Sequence, residues 1–201
     1  MAEQLIDGRG SGNRAGVNQN KQQLTFSIAQ TETQQATLNG DSYNINTGII
    51  GLTSTTESGV LFFKNDEPPV NGESTFAIDS LVIGIDDQGT QAGACTIFVV
   101  KNPTASSFTT DVDINENRNF GSSNTLSSST LAYKGIEGGT FAGGTDIVLS
   151  YQNAGTRGFY PLELILPKGS SIGIKIDTQT TAGTTNVYCA ILGRRLNGKN
   201  A

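Results

Sequence analysis

The sequence predicts an all-β protein: an antiparallel, jelly-roll-like β-sandwich over residues 59–201, preceded by an extended polar N-terminal arm over residues 1–58. Three observations carry this. Short apolar runs rich in β-branched and aromatic residues recur along the second part of the chain, separated by Gly, Pro, Asn and Asp clusters. Charged residues make up only 15% of the chain, and Ala/Leu/Glu/Lys-rich stretches that would favour long helices are absent. The first 58 residues are dominated by Gln, Asn, Thr, Ser and Gly, a composition that cannot bury enough apolar area to offset its own ordering.

Within the arm, Leu24, Phe26 and Ile28 alternate with polar residues, and Ile49, Ile50 and Leu52 form a second short run. These six are the candidate partner-binding residues, because two short strands of this kind can dock on a neighbouring surface. From Gly59 the texture changes. Val60–Lys64 (VLFFK) ends at an Asn-Asp-Glu-Pro-Pro cluster, Phe76–Ile85 (FAIDSLVIGI) ends at Asp86-Asp87-Gln88-Gly89, and Cys95–Val100 (CTIFVV) ends at Lys101-Asn102-Pro103. Several of these runs are apolar on both faces, which predicts covering by the sandwich core on one side and by a loop or neighbour on the other.

Residues 104–146 read as loops, polar over 111–126 and glycine-dense over 135–146. Strand signal resumes at Ile147–Tyr151. In Phe159–Leu166 the residues Leu162, Leu164 and Leu166 share one face, which places Glu163 opposite them. A Leu-Pro-Lys-Gly turn follows at 166–169. Ile172, Ile174 and Ile176 then alternate with Gly173, Lys175 and Asp177, and Val187–Leu192 is the last strand. About eight strands with long connections favour a jelly roll over a meander, and no convincing helix is expected.

Composition excludes several chemistries. There is no histidine, which removes the commonest general base near neutral pH and the commonest zinc ligand. No phosphate-cradling loop or dinucleotide fingerprint is present. Asp86/Asp87, Asp111/Asp113 and Glu163 are the carboxylates left for glycosidase-type chemistry, and turn formation explains the first pair equally well. The sequence therefore predicts no enzyme and no cofactor.

Asp111-Val-Asp113-Ile-Asn115 spaces oxygen ligands as a calcium loop does. However, Glu116 stands at the glycine position and Ser122 at that of the bidentate glutamate. Asp111 and Asp113 are accordingly the only metal candidates. Tyr43, Tyr133 and Tyr151 are the candidates for a sugar-stacking platform. Cys95 and Cys189 lie in apolar runs and read as two buried thiols. Arg194, Arg195 and Lys199 form the one cationic cluster, with a solvated tail and a salt bridge to an acidic neighbour as the two readings. A net charge of −5 argues against direct nucleic-acid binding. The absence of a long apolar run and of a leader sequence predicts no membrane segment and no export.

The segments LIDGRGSGN, NGDSYNINTGIIGLTS, ESGVLFFKNDE, DINENRNFGSSNTL and LPKGSSIGIKI together resemble virion proteins of tailed bacteriophages, usually encoded near the head and tail genes. The resemblance runs along most of the chain and supplies no functional residues. It implies a structural protein located in the virion and assembled in the host cytoplasm: a capsid decoration or cement protein that contacts the major capsid protein and forms a homo-oligomer, commonly a trimer. The alternative is a tail, fibre or vertex protein whose sandwich binds a receptor through loops 104–126 and 135–146.

Overall fold

The computed structural model describes residues 16–17, 23–24, 31–69, 74–112 and 117–196. The chain divides after Thr31 into two units. In the first, Gly16–Val17 pairs antiparallel with Gln23–Leu24. The second, Glu32–Ala201, contains a short helix and two packed sheets.

The sandwich strands are β1 (Ser42–Asn46), β2 (Ile50–Leu52), β3 (Ser58–Lys64), β4 (Thr75–Ile85), β5 (Cys95–Lys101), β6 (Thr110–Asp111), β7 (Leu131–Lys134), β8 (Thr145–Gln152), β9 (Thr156–Pro167), β10 (Ser171–Asp177) and β11 (Thr185–Leu196). One sheet has the order β6-β7-β3-β10-β5-β8. The other has the order β9-β4-β11-β1, with β2 also on β11. Four antiparallel pairs join strands from the ends of the chain inward: β1·β11, β3·β10, β4·β9 and β5·β8. Successive pairs alternate between sheets. This is one long two-stranded ribbon wound around a core, the jelly-roll arrangement that the strand spacing predicts.

Alternation builds the core. Ile172, Ile174 and Ile176 face inward with Leu61, Phe63, Cys95, Ile97 and Val99 from one sheet. Tyr43, Ile45, Phe76, Ile78, Leu81, Ile83, Val187, Cys189 and Ile191 face them from the other. In β3, Phe63 enters this core while Phe62 is buried on the opposite face. There Tyr133 stacks on it at 5.9 Å, and Phe141 and Phe108 close over it. The second apolar face expected of VLFFK is thus covered by this chain's own long connection. Gly173 makes this possible, because a Cβ there would stand 2.7 Å from the Phe141 ring.

The predicted boundary at 58/59 does not coincide with the observed division. β1 and β2 lie within the expected arm, yet they pair with β11 and bury Tyr43, Ile45, Ile50 and Leu52. The helix α1 (Glu32–Asn39) was also not expected. It ends where Gly40, at φ 73°, lets Asp41 N–H donate to the Ala36 carbonyl and Gly40 N–H to the Thr37 carbonyl. Among the described residues no helix is long and apolar enough to cross a membrane.

Candidate functional site

The two ribbon strands that end the sheets on one flank, β8 and β9, are long edges. They are joined by the turn at residues 153–155, and Tyr160 Oη donates to Gln152 Oε1 at 2.8 Å across the seam. The opposite flank is closed. β3 is covered by β7 and β6. On β1, Arg118 N–H donates to the Ser42 carbonyl and Tyr43 forms a bridge with Asn117. Among the described residues no such cover lies on β8 and β9.

Both bare edges carry apolar side chains. Ile147, Val148, Tyr151, Phe159, Leu164 and Ile165 are six of the ten large hydrophobics exposed among the described residues. Long, apolar, uncovered edges are what monomeric proteins avoid, and this flank holds most of the large hydrophobics exposed among the described residues. Both strands are also irregular. β8 shifts register between Val148 and Ser150, and β9 between Pro161 and Leu164, with Glu163 at φ 49°. That bulge breaks the expected Leu162–Leu164–Leu166 row: Leu166 is buried, Leu162 half-buried and Leu164 exposed at the edge.

Among the described residues of the second unit, the sequence-derived candidates do not assemble into one site. Ile50 and Leu52 fill this chain's own core, while Ile49 is exposed beside them. Leu24 lies in the short ladder with Gly16. Phe26 and Ile28 lie outside the described residues. Asp111 is exposed on β6 opposite Tyr133, and Asp113 lies outside the described residues. Among the described residues there is no group of three or more metal-ligating side chains.

Asp86 caps a turn, accepting from Asn186 N–H at 2.8 Å. Glu163 sits on the β9 bulge, remote in sequence from the other carboxylates. Tyr43 is fully buried, and burial raises its pKa. Only Tyr151 among the three tyrosine candidates is well exposed. Cys95 and Cys189 are free, buried thiols, and burial pushes both pKa values up.

The cationic pair at the end of β11 is not a solvated tail. Arg195 bridges Asp41 at 2.7 Å and Glu67 at 3.4 Å. Burial opposes its charge, but the hydrogen bond to Asp41 and the surrounding carboxylates outweigh burial and raise its pKa. Arg194 pairs with Glu32 at 2.8 Å and with Asp79. Burial raises the Asp79 pKa, with Arg194 and Arg118 opposing. Lys199 lies outside the described residues.

One further feature was not visible in the sequence. An open depression of about 620 Å³ is lined by Asn44, Asn117, Arg118, Asn119, Phe120, Ser122 and Leu192. Phe120 is completely exposed at its rim. Its neighbours Asn117 and Asn119 shape the loop, accepting from Asn119 N–H and Gly121 N–H. No family model matches the chain, and no curated protein matches it.

Proposed function

We propose that this chain is a structural virion protein of a tailed bacteriophage, a capsid decoration or cement protein that binds major capsid subunits and stabilises the shell. The observation that carries the reading is the bare apolar flank of β8 and β9: a jelly roll whose most exposed hydrophobic surface lies along its edges works through contact with other subunits. The phage assignment itself comes from the resemblance along the chain. Contacts that are individually weak become strong when repeated over a symmetric lattice. The protein lies on the capsid surface, takes no cofactor and catalyses nothing.

The test is to locate and count the protein in the particle. A copy number comparable with that of the shell subunit, with density on the capsid surface, is expected. A handful of copies at the tail or a vertex would overturn the decoration reading.

A second reading has a specific observation in its favour. The exposed Phe120, beside the depression holding Arg118 and Asn44, has the aromatic-plus-polar chemistry that stacks and hydrogen-bonds a sugar. It lies in the loop region expected to form the tip of a receptor-binding tail, fibre or vertex protein. Binding of the isolated protein to host-cell glycans, lost on Phe120→Ala, would favour this alternative.

A further inference from the structure

Residues 117–124 meet the C-terminal end of α1 through side-chain amides. Asn117 Nδ2 donates to the Gly40 carbonyl at 2.7 Å, Asn119 Nδ2 to the Leu38 carbonyl at 3.1 Å and Asn124 Nδ2 to the Asn39 carbonyl at 3.2 Å. The last carbonyls of a helix lack partners within it, and here a loop distant in sequence supplies the donors. Two of these side chains also shape the loop. Asn117 Oδ1 accepts from Asn119 N–H at 2.9 Å, and Asn119 Oδ1 accepts from Gly121 N–H at 3.1 Å. The backbone on either side of Phe120 is therefore fixed by side chains that also hold α1. Gly40 completes the joint. A Cβ there would stand 2.1 Å from Ser122 Oγ, so helix end and loop abut where only glycine fits.

The core does not hold α1 in place. None of its eight residues is buried, and Leu38 is 62% exposed. A helix of this length is marginal by itself, and elements with few buried apolar contacts open on their own. At its start, Arg194 reaches Glu32 at 2.8 Å and donates to Thr33 Oγ1 at 3.0 Å. The Glu32 carboxylate is 82% exposed, so this pair is weak. When it breaks, Arg194 keeps Asp79, and no partly buried charge is left stranded.

From these contacts we infer that α1 and the Phe120 loop form one conformational latch. Docked, α1 presents the three carbonyls that order the loop and hold Phe120 at the rim of the depression. Undocked, Asn119 and Asn124 lose those acceptors, while the loop keeps the β1 contacts of Asn117 with Tyr43 and of Arg118 with Ser42. The coupling runs both ways. A ligand that needs the ordered loop stabilises docked α1, and anything that frees α1 loosens Phe120. The chain enters the second unit at α1, so a grip on the chain before Glu32 acts on the latch first. The latch regulates the Phe120 surface of the second reading and rests on that reading for what the surface binds.

The experiment follows amide hydrogen exchange of the full-length chain, native and Ala36→Gly. Ala36 lies inside α1 and carries none of the three carbonyls. Glycine there is expected to raise helix opening about five-fold. The α1 amides should exchange about five-fold faster, the N–H groups of Asn119, Gly121, Ser122 and Asn124 should follow by the same factor, and β11 should be unchanged. Loop amides that keep their native rates while α1 speeds up overturn the inference. So does an α1 as slow to exchange as β11, because it then opens only with the whole fold.

A second readout uses Phe120→Trp, which places a single tryptophan in a chain that has none. Adding Ala36→Pro, which breaks the helix, is expected to lower the fluorescence anisotropy of that side chain. Unchanged anisotropy with the helix broken overturns the inference. Circular dichroism checks the Ala36→Pro chain, and if its sheets are lost the Ala36→Gly exchange rates decide. A loop that follows α1 in a protein that binds no host glycan leaves the latch standing and removes the second reading. Glycan binding by a chain whose loop ignores α1 does the reverse.

Discussion

Asn65 shows how much can rest on one side chain just past the end of a strand. It is fully buried. Its Nδ2 donates to the Leu166 carbonyl at 2.8 Å, and its Oδ1 accepts from Glu67 N–H at 3.2 Å. Its own backbone pairs with Ser170 and Gly169. Asn65→Ala would strand a buried carbonyl and an N–H, each costing about 1–3 kcal/mol, so a loss of about 2–6 kcal/mol is expected by denaturant unfolding. Glu137 acts at the surface. It accepts from Thr53 N–H at 2.8 Å and from Thr53 Oγ1, and the backbone hydrogen bond first, then the hydroxyl, holds its pKa below the ordinary range. A lowered folded pKa contributes stability that is full above the ordinary glutamate value of about 4.3 and is lost as pH falls through the folded value. Melting curves of Glu137→Gln and the native protein should therefore differ at neutral pH and converge on acidification. In the sequence Asn65 and Glu137 both read as turn residues, because Leu166 and Thr53, the long-range partners they hold, lie 101 and 84 positions away.

The strands β1 and β2 carry the clearest difference between sequence and structure. Polar neighbours mask Tyr43, Ile45, Ile50 and Leu52, so residues 1–58 read as an arm. In the folded protein these four are buried against β11 and the core. At about 2 kcal/mol per fully buried side chain, their sum is comparable with the whole stability of an ordinary domain, about 5–15 kcal/mol. Removing residues 1–30 should leave a cooperatively folded protein, and removing 1–58 should abolish folding; circular dichroism and thermal melting separate the two. The helix α1 also carried legible signals, Thr31-x-x-Gln34 at its start and Gly40 at its end, set in a stretch whose composition drew attention elsewhere. The later strands were legible because Ile172–Ile174–Ile176 and the turn clusters state both period and limits. The flank was not. Ile147–Tyr151 is as apolar as Val60–Lys64, and only the winding of the ribbon decides which of them ends a sheet and which is covered on both faces.

At the scale of the whole molecule, the winding places the beginning and end of the sandwich chain side by side. Arg195 N–H donates to the Asp41 carbonyl at 2.8 Å, its side chain reaches Asp41 at 2.7 Å, and Arg194 reaches Glu32 at 2.8 Å. The pairings that keep the terminal arginines from being a free tail also bring the two ends of the sandwich within reach of a short link. A chain opened between Gly93 and Ala94, both exposed in the β4–β5 connection, and rejoined from Leu196 to Glu32 by a few-residue linker should reach the same native state. A single cooperative thermal transition with native-like circular dichroism is the expected result, and a permuted chain that fails to fold would show that starting the ribbon at β1 matters. If the permutant folds, a new sequence could be opened into the molecule at its join without disturbing the β8–β9 flank on the opposite side.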